Sequence, residues 1–317
     1  MNYEEKLKTL QARFFSTIKE KYFGDEKLAL QVADITDITR STAYKKIRCE
    51  SPLSSRDYMV LAQHFGISLD ALILPEETDF LVRRQNYIRS EKDLINYLTN
   101  TAEELRRLSS VPHDFYYAAR DLPVFLFFRN ETVMRFKVAL WLTELSDSDE
   151  DFKNFYHIIS RELLDACKTF SDGYRMLKRH EIWSPDTMNN FANQINYYEE
   201  IGQLSSSDAN DIRHATAELL DDVCNEMKQH ENDSSSSWHI YEVDYLLMSN
   251  NGLVITPRKN VAYISYSGIN YLRVDQHDFC KDLEVSFLQQ KANATSLVAS
   301  RKSRVLFFQQ LKEKFKA

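Results

Sequence analysis

Glycine is rare in this sequence, with only six residues in a chain of 317. Turns that need a positive φ angle are built mainly with glycine, so a chain with so little of it favours helices over a β-rich fold. None of the six lies in a G-x-G-x-x-G or G-x-x-x-x-G-K pattern, which argues against Rossmann-type and Walker-type nucleotide binding. We therefore expect a mainly α-helical protein.

The chain length predicts two or three domains rather than one. Apolar spacing and helix-capping residues indicate five short helices within residues 1–75, which we take as the first domain. The capping signals include Thr39 as an N-cap, Ser54 with Asp57 as a capping box, and Gly66 as a helix end. Residues 76–112 are expected to hold a connecting helix and most of a short linker, which begins at Pro75 and extends to residue 79. The apolar residues of that helix follow a heptad spacing for only about two and a half heptads. It therefore either packs into the C-terminal domain or forms a dimer seam.

Residues 113–317 are expected to form a larger domain. A helical pattern continues to residue 233, and after the polar run at 231–237 the apolar period changes to two. Asn251 and Gly252 lie between apolar β-formers, which predicts a hairpin. The sequence thus predicts a mainly α protein whose C-terminal domain is an α+β helical array with a small antiparallel sheet. Two closing helices are predicted near 276–290 and 301–315.

The charges are unevenly distributed. The net charge is −7, yet residues 1–75 have eleven Lys and Arg against ten Asp and Glu, which leaves −8 for the remainder. The segment Ile38–Arg48 has four cationic residues and no acid. Solvated helix faces usually mix both signs. A cationic face of this kind indicates a binding surface for a polyanion, with a merely solvated face as the alternative.

Motifs for catalysis or metal binding are absent from the sequence. The four cysteines lie far apart without a Cys-x-x-Cys pair, which excludes the usual zinc patterns and fits reduced thiols. No histidine pair has H-E-x-x-H spacing, and no serine lies in G-x-S-x-G. We expect neither enzyme activity nor a metal or cofactor. An enzyme whose catalytic residues meet only in three dimensions stays an open alternative.

The sequence also has no signature of export or of membrane insertion. No apolar run approaches the roughly 18 residues that a spanning helix needs. The first residues, Met1 to Lys6, have no apolar stretch of the kind found in signal peptides. We expect a cytoplasmic protein without a membrane partner.

The segment Val32–Tyr44 resembles the helix-turn-helix of lambda-repressor-like (XRE-type) regulators. That family has a small residue midway along the first helix, here Ala33, and glycine at the sharp turn, where this chain has Asp37. Glycine is also the more usual residue at the position of Cys49. The resemblance extends over residues 28–73 and implies a five-helix DNA-binding domain.

The resemblance implies that the helix at 40–47 is the recognition helix, which enters the major groove with its N-terminus first. Arg40 is the best candidate for a bidentate guanine contact. The cations further along are expected to meet phosphates, which position the protein without reading sequence. The candidate DNA contacts are Thr39, Arg40, Ser41, Thr42, Tyr44, Lys45, Lys46 and Arg48.

The rest of the chain resembles an uncharacterised family of bacterial helix-turn-helix transcriptional regulators. The matching segments are Tyr116–Phe125, Phe136–Lys137, Trp141, Glu181–Ser184, Gln194–Tyr198, Asp278–Cys280 and Arg301–Phe308. An aromatic block at residues 125–128 is either core or the wall of a ligand pocket. The cations Arg301, Lys302 and Arg304 form either a second phosphate-binding patch or a loop before the last helix.

Together these observations predict a sequence-specific bacterial transcriptional regulator that binds double-stranded operator DNA, as a homodimer. The C-terminal domain would dimerise the protein, and whether it also senses a small-molecule or protein effector stays open. The alternative is a protein-interaction adaptor that uses the helix-turn-helix fold as a scaffold.

Overall fold

The computed structural model describes residues 3–21, 25–73, 82–84, 88–145, 151–231 and 237–316. The chain folds into two compact units, Met1–Leu81 and Val82–Ala317. The predicted linker at 75–79 lies outside the described residues, as do residues 232–236 of the polar run. The two units, called unit 1 and unit 2, are described separately.

Unit 1 is helical. Its helices are α1 Tyr3–Lys21, α2 Asp25–Thr36, α3 Arg40–Ile47, α4 Ser55–Phe65 and α5 Asp70–Ile73. The α4 helix begins at a capping box formed by Ser54 and Asp57 and ends at Gly66, which has a left-handed conformation with φ 59°. The helices enclose one apolar core centred on Phe14, Val32 and Phe65. Local capping signals therefore set the helix boundaries here.

Unit 2 combines helices with one sheet. Its helices are α6 Glu91–Ser109, α7 Val124–Phe127, α8 Glu131–Leu145, α9 Phe152–Ile158, α10 Arg161–Arg175, α11 Asn189–Glu200, α12 Ser206–Gln229, α13 His277–Ala292 and α14 Arg301–Glu313. Its strands are β1 Arg83–Arg84, β2 Asp114–Ala119, β3 Arg179–Trp183, β4 Trp238–Glu242, β5 Gly252–Ile255, β6 Val261–Ser267, β7 Asn270–Val274 and β8 Thr295–Ser296.

The strands within the described residues form a single eight-stranded sheet, in the order β1-β7-β6-β5-β2-β3-β4-β8. The β2, β3 and β4 strands are parallel, and the other pairings are antiparallel. The prediction of a mainly α protein with a small antiparallel sheet is therefore wrong. The fold is α+β with one large mixed sheet.

Burial of the central strands on both faces explains the error. On β2, Phe115, Tyr117 and Ala119 belong to the large core shared with the helices. Tyr116 and Ala118 belong to a second core on the opposite face, which includes residues of α13. A strand between two cores has no alternation of apolar and polar residues. Its sequence therefore resembles the helical pattern expected over 113–233.

The hairpin predicted at Asn251 and Gly252 is also absent. The strands on either side of it do not pair with each other, because β4 pairs with β3 and β8 while β5 pairs with β2 and β6. Gly252 is the first residue of β5, where a Cβ atom would be 3.3 Å from the ring of Phe115. The glycine therefore lies in close packing across the sheet rather than in a turn.

The connecting helix α6 packs along α10 within unit 2. Gly173 of α10 allows the close approach, because a Cβ atom there would lie 3.3 Å from the carbonyl oxygen of Ala102. The segment 76–112 thus contributes α6 to the core of unit 2. None of the helices in the described ranges is long and apolar enough to cross a membrane.

Candidate functional site

The turn between α2 and α3 is sharp and contains no glycine. Asp37 has a φ of 55°, and the amide of Ile38 donates a hydrogen bond to the carbonyl of Ala33 at 3.0 Å. Cys49, just after α3, has a φ of 58°. Both left-handed residues occupy positions where the resembled family uses glycine. Aspartate tolerates this conformation because its short side chain can form local hydrogen bonds, whereas cysteine has no such compensation.

The N-terminus of α3 is exposed, and the first turn of the helix has no acidic side chain. Thr39 caps the helix by accepting a hydrogen bond from the amide of Thr42, and the two hydroxyl oxygens lie 2.9 Å apart. The side chains of Thr39, Arg40 and Ser41 are exposed, while Thr42 is half-buried. Four predicted contact residues therefore lie together at one helix end, where the helix dipole favours an anion.

Two arginines pack on the ring of Tyr44. The guanidinium carbon of Arg40 lies 5.7 Å from the ring centroid and that of Arg48 lies 5.8 Å from it. Their spacing of four residues places all three on one helix face. With Ser41, Lys45 and Glu50 they line a shallow concave surface. Glu50 is the one acid of this lining, and it follows the helix rather than lying within it.

Lys46 points away from this surface, in contrast to the prediction that it meets phosphate. Its ammonium lies 3.0 Å from Asp57 and donates to the carbonyl of Pro52 at 2.8 Å, and both charged side chains are 13% exposed. Burial raises the pKa of Asp57, but hydrogen bonds from Lys46 and Ser54 outweigh it and hold the pKa below its ordinary value. Lys46 joins α3 to α4 and is not a candidate DNA contact.

The second predicted cationic patch does not form as a unit. Arg304 is 2% exposed, donates to Glu231 at 2.7 Å, and also donates to the carbonyls of Leu297 and Val298. Arg301 and Lys302 remain exposed at the start of α14. Arg304 is thus a structural residue, which removes it from the predicted patch.

The aromatic block of unit 2 is buried. Phe125 stacks on Tyr174, and Phe128 meets Trp141 edge to face at a centroid distance of 5.9 Å. These residues belong to the large core, which agrees with the core interpretation. Phe127 is buried as well but also lines a cavity.

Two further polar clusters in unit 2 could not be predicted from spacing in the sequence. Glu181, fully buried, accepts hydrogen bonds from Tyr174, Trp183 and Trp238 at 2.7 to 2.9 Å. The guanidinium of Arg179 lies 3.4 Å from the same carboxylate. Burial raises the pKa of Glu181, whereas Arg179 and the three donors oppose that effect. Arg179 also donates to the carbonyls of Tyr174 and Arg175, while its Nε is buried without a hydrogen bond to any described residue. Because its donors come from the surrounding core, the Glu181 carboxylate belongs to a structural network.

The second cluster is a stack of rings across the parallel strands. His180 lies between Tyr116 and His239, with centroid distances of 4.8 and 5.1 Å, because these residues are in register on β2, β3 and β4. Its Nε2 is 3.1 Å from Asp114. Burial lowers the pKa of His180 to about 4 despite that carboxylate. The histidine is therefore neutral near pH 7.

Metal-ligand groupings of three or more His, Cys, Asp or Glu residues are not found in the described part of the chain. Its four cysteines are unpaired with one another. The exposed face of α3 is thus the best-defined candidate site among the residues that were predicted. A comparison with models of protein families, with curated proteins and with solved structures finds no match to this chain.

Proposed function

We propose that the protein is a sequence-specific DNA-binding transcriptional regulator of the lambda-repressor-like type. The observation that supports this is the exposed face of α3, which combines a hydroxyl-rich N-terminus with Arg40, Lys45 and Arg48 and has no acid on the helix. The tight turn at Asp37 further supports the resemblance, because it has the left-handed backbone that the family builds with glycine.

In this proposal α3 enters the major groove with its N-terminus first. Arg40 reads a guanine, since an arginine fork pairs with two acceptors of that base. Lys45 and Arg48 contact phosphates, and Tyr44 holds both arginine side chains against the helix. Lys46 does not contact DNA in this proposal, because its ammonium forms a salt bridge with Asp57 within unit 1.

The DNA-bound form is proposed to be a homodimer joined through unit 2. One α3 helix makes few base contacts, and a dimer doubles them by reading two half-sites about one helical turn, roughly 34–36 Å, apart. The net charge of −8 beyond residue 75 fits this arrangement, because that part would be repelled from DNA. The site of action would be the bacterial cytoplasm, where an operator is accessible.

Selection of bound sequences from a random duplex library tests the proposal at about 150 mM salt, where non-specific binding is weak. The full chain is compared with Arg40→Ala and with a charge-matched control, Arg161→Ala, whose exposed side chain pairs with Asp165 in unit 2. We expect a palindromic motif from the wild type and the control. Arg40→Ala should lose preference at one base pair of each half-site, with about 1–3 kcal/mol less discrimination.

Absence of any enriched motif in the wild type would contradict the proposal. An enriched motif that Arg40→Ala binds equally well would contradict the role of Arg40. The first result would favour a protein-interaction adaptor, for which the α3 cations are dispensable.

A further inference from the structure

A cavity of about 640 Å³ lies in unit 2 beside the carboxyl end of β2. The lining comes from residues that follow β2, from α8 and α11, and from the β6–β7 connection. Ligands of α/β sheets bind at the carboxyl ends of parallel strands, and cavities of roughly 300–1,000 Å³ suit small molecules. Position and size both make this cavity a candidate binding site.

Lys137 of α8 is the unusual residue of the cavity. It is 7% exposed, and its ammonium donates one hydrogen bond, to Gln194 at 3.1 Å. The rings of Phe127, Trp141 and Phe191 lie 5.1 to 5.8 Å from that nitrogen. In the described ranges the ammonium forms no ion pair, although lysine is almost never buried without one. Burial lowers the pKa of Lys137, as expected for a cation with too few partners.

Neither acid of the cavity lining forms a salt bridge with Lys137, although the charge of Asp121 partly opposes the lowering of that lysine's pKa. Asp121 accepts hydrogen bonds from the amides of Asn190 at 3.1 Å and Asn250 at 3.4 Å, so its carboxylate is already held. Glu144 and Arg120 are exposed, at the solvent side of the lining. Lys137 thus keeps two donor positions without a described acceptor, on the wall of a cavity that is large enough for a ligand.

Besides a cation for an anionic group, the cavity offers a flat surface for the body of a ligand. Tyr197 of α11 lines the cavity with 56% of its surface exposed, whereas Trp141, which lies next to Lys137 on the cavity wall, is only 5% exposed. Exposed aromatic side chains are stacking surfaces for planar rings. The amides of Asn190 and Asn193 add donors for oxygen atoms.

We propose that this cavity binds a small organic anion that carries a planar ring. Its oxyanion group, a carboxylate or a phosphate, accepts a hydrogen bond from the ammonium of Lys137, and its ring packs against the exposed ring of Tyr197. The inference concerns unit 2 alone and does not rest on DNA binding by unit 1.

Isothermal titration calorimetry on the full chain tests the proposal with two pairs of probes. Adenosine 5′-monophosphate is compared with adenosine, and 1-naphthoate is compared with 1-naphthamide, so that each anion has a neutral partner with the same ring. Tryptophan fluorescence gives a second readout, because Trp141 lines the cavity while Trp183 and Trp238 do not. We expect at least one anion to bind tenfold or more tightly than its neutral partner. The pair that shows the difference identifies which combination of ring and anionic group fits the cavity.

Three variants separate the role of Lys137 from general effects. Lys137→Met and Lys137→Gln remove the charge, and the second retains a group that can hydrogen-bond to Gln194. Arg135→Gln is the matched control, because it removes a cation from the same helix that pairs with Glu131 outside the cavity. We expect both Lys137 variants to lose the tenfold preference while keeping a cooperative thermal transition, and the control to retain it.

Two results would overturn the inference. One is equal or undetectable binding of the anions and their neutral partners to the wild type. The other is a preference for the anion that survives in a folded Lys137 variant.

Discussion

Two adjacent lysines of α3 should behave in opposite ways when each is replaced by methionine. Lys45 is exposed on the proposed DNA-binding face, whereas Lys46 bonds to Asp57 and to the carbonyl of Pro52. We expect Lys45→Met to weaken DNA binding without loss of stability. Lys46→Met should destabilise unit 1 while leaving the salt dependence of DNA binding intact.

The size of each effect follows from the contacts. Lys46→Met removes a charge-assisted hydrogen bond of 3.0 Å between two side chains that are 13% exposed, and such bonds contribute about 1.5–3 kcal/mol. In this variant Asp57 still accepts a hydrogen bond from the amide of Ser54. We therefore expect a loss of about 2 kcal/mol in the free energy of unfolding of unit 1, rather than the full cost of an unpaired buried charge. Loss of one phosphate contact at Lys45 should reduce the slope of log K against log salt by about 0.9.

The stability of unit 1 needs a local measurement, because the three tryptophans all lie in unit 2. Hydrogen exchange of peptides from α3 and α4, read by mass spectrometry, gives the free energy of opening directly. The salt slope comes from titrations of the selected operator at several salt concentrations. If Lys46→Met lowers the slope as Lys45→Met does, or leaves exchange unchanged, the inward orientation of Lys46 is wrong.

Two further predictions concern unit 2 and use urea unfolding followed by tryptophan fluorescence. The pKa of His180 is lowered to about 4, so between that value and its ordinary 6.5 the unfolded chain binds a proton that the folded protein does not. The free energy of unfolding of unit 2 should therefore fall by up to about 3 kcal/mol as the pH falls through this interval. The loss should be smaller in His180→Phe, and it should equal that of the wild type in His214→Gln, which alters an exposed residue. Equal pH profiles of His180→Phe and wild type would contradict the lowered pKa of His180. Glu181→Gln leaves Arg179 buried without its counter-charge and should lower the free energy of unfolding by about 3–5 kcal/mol. The control Glu218→Gln, at an exposed position, should change it by no more than about 0.5 kcal/mol. A similarly small effect of Glu181→Gln would show that the network is not needed for stability.

Local signals in unit 1 could be interpreted from the sequence. The N-cap Thr39, the capping box of Ser54 with Asp57 and the helix end at Gly66 are confirmed, because each depends on residues no more than four positions apart. The inward orientation of the Lys46 side chain could not be predicted from local signals. It depends on Asp57, which the fold brings close from the next helix.

Unit 2 could not be predicted because its sheet depends on distant partners. The β2 strand pairs with β3 about sixty residues later and with β5 further on. Both faces of β2 are buried, so its composition resembles that of a buried helix. The cavity could not be predicted for the same reason. The one sequence signal for it is Lys137, because the segment Val133–Leu142 is apolar except for Arg135 and this lysine.

At one edge the sheet ends in β8, a strand of only two residues, Thr295–Ser296. Such a short edge offers few backbone groups for pairing with a second sheet, which is a common protection against edge-to-edge association. A dimer formed through unit 2 would therefore not continue the sheet across the β8 edge from one subunit into the next. An interface on this side would consist of side chains on helix surfaces, so point substitutions on a single helix face should be able to separate dimerisation from folding.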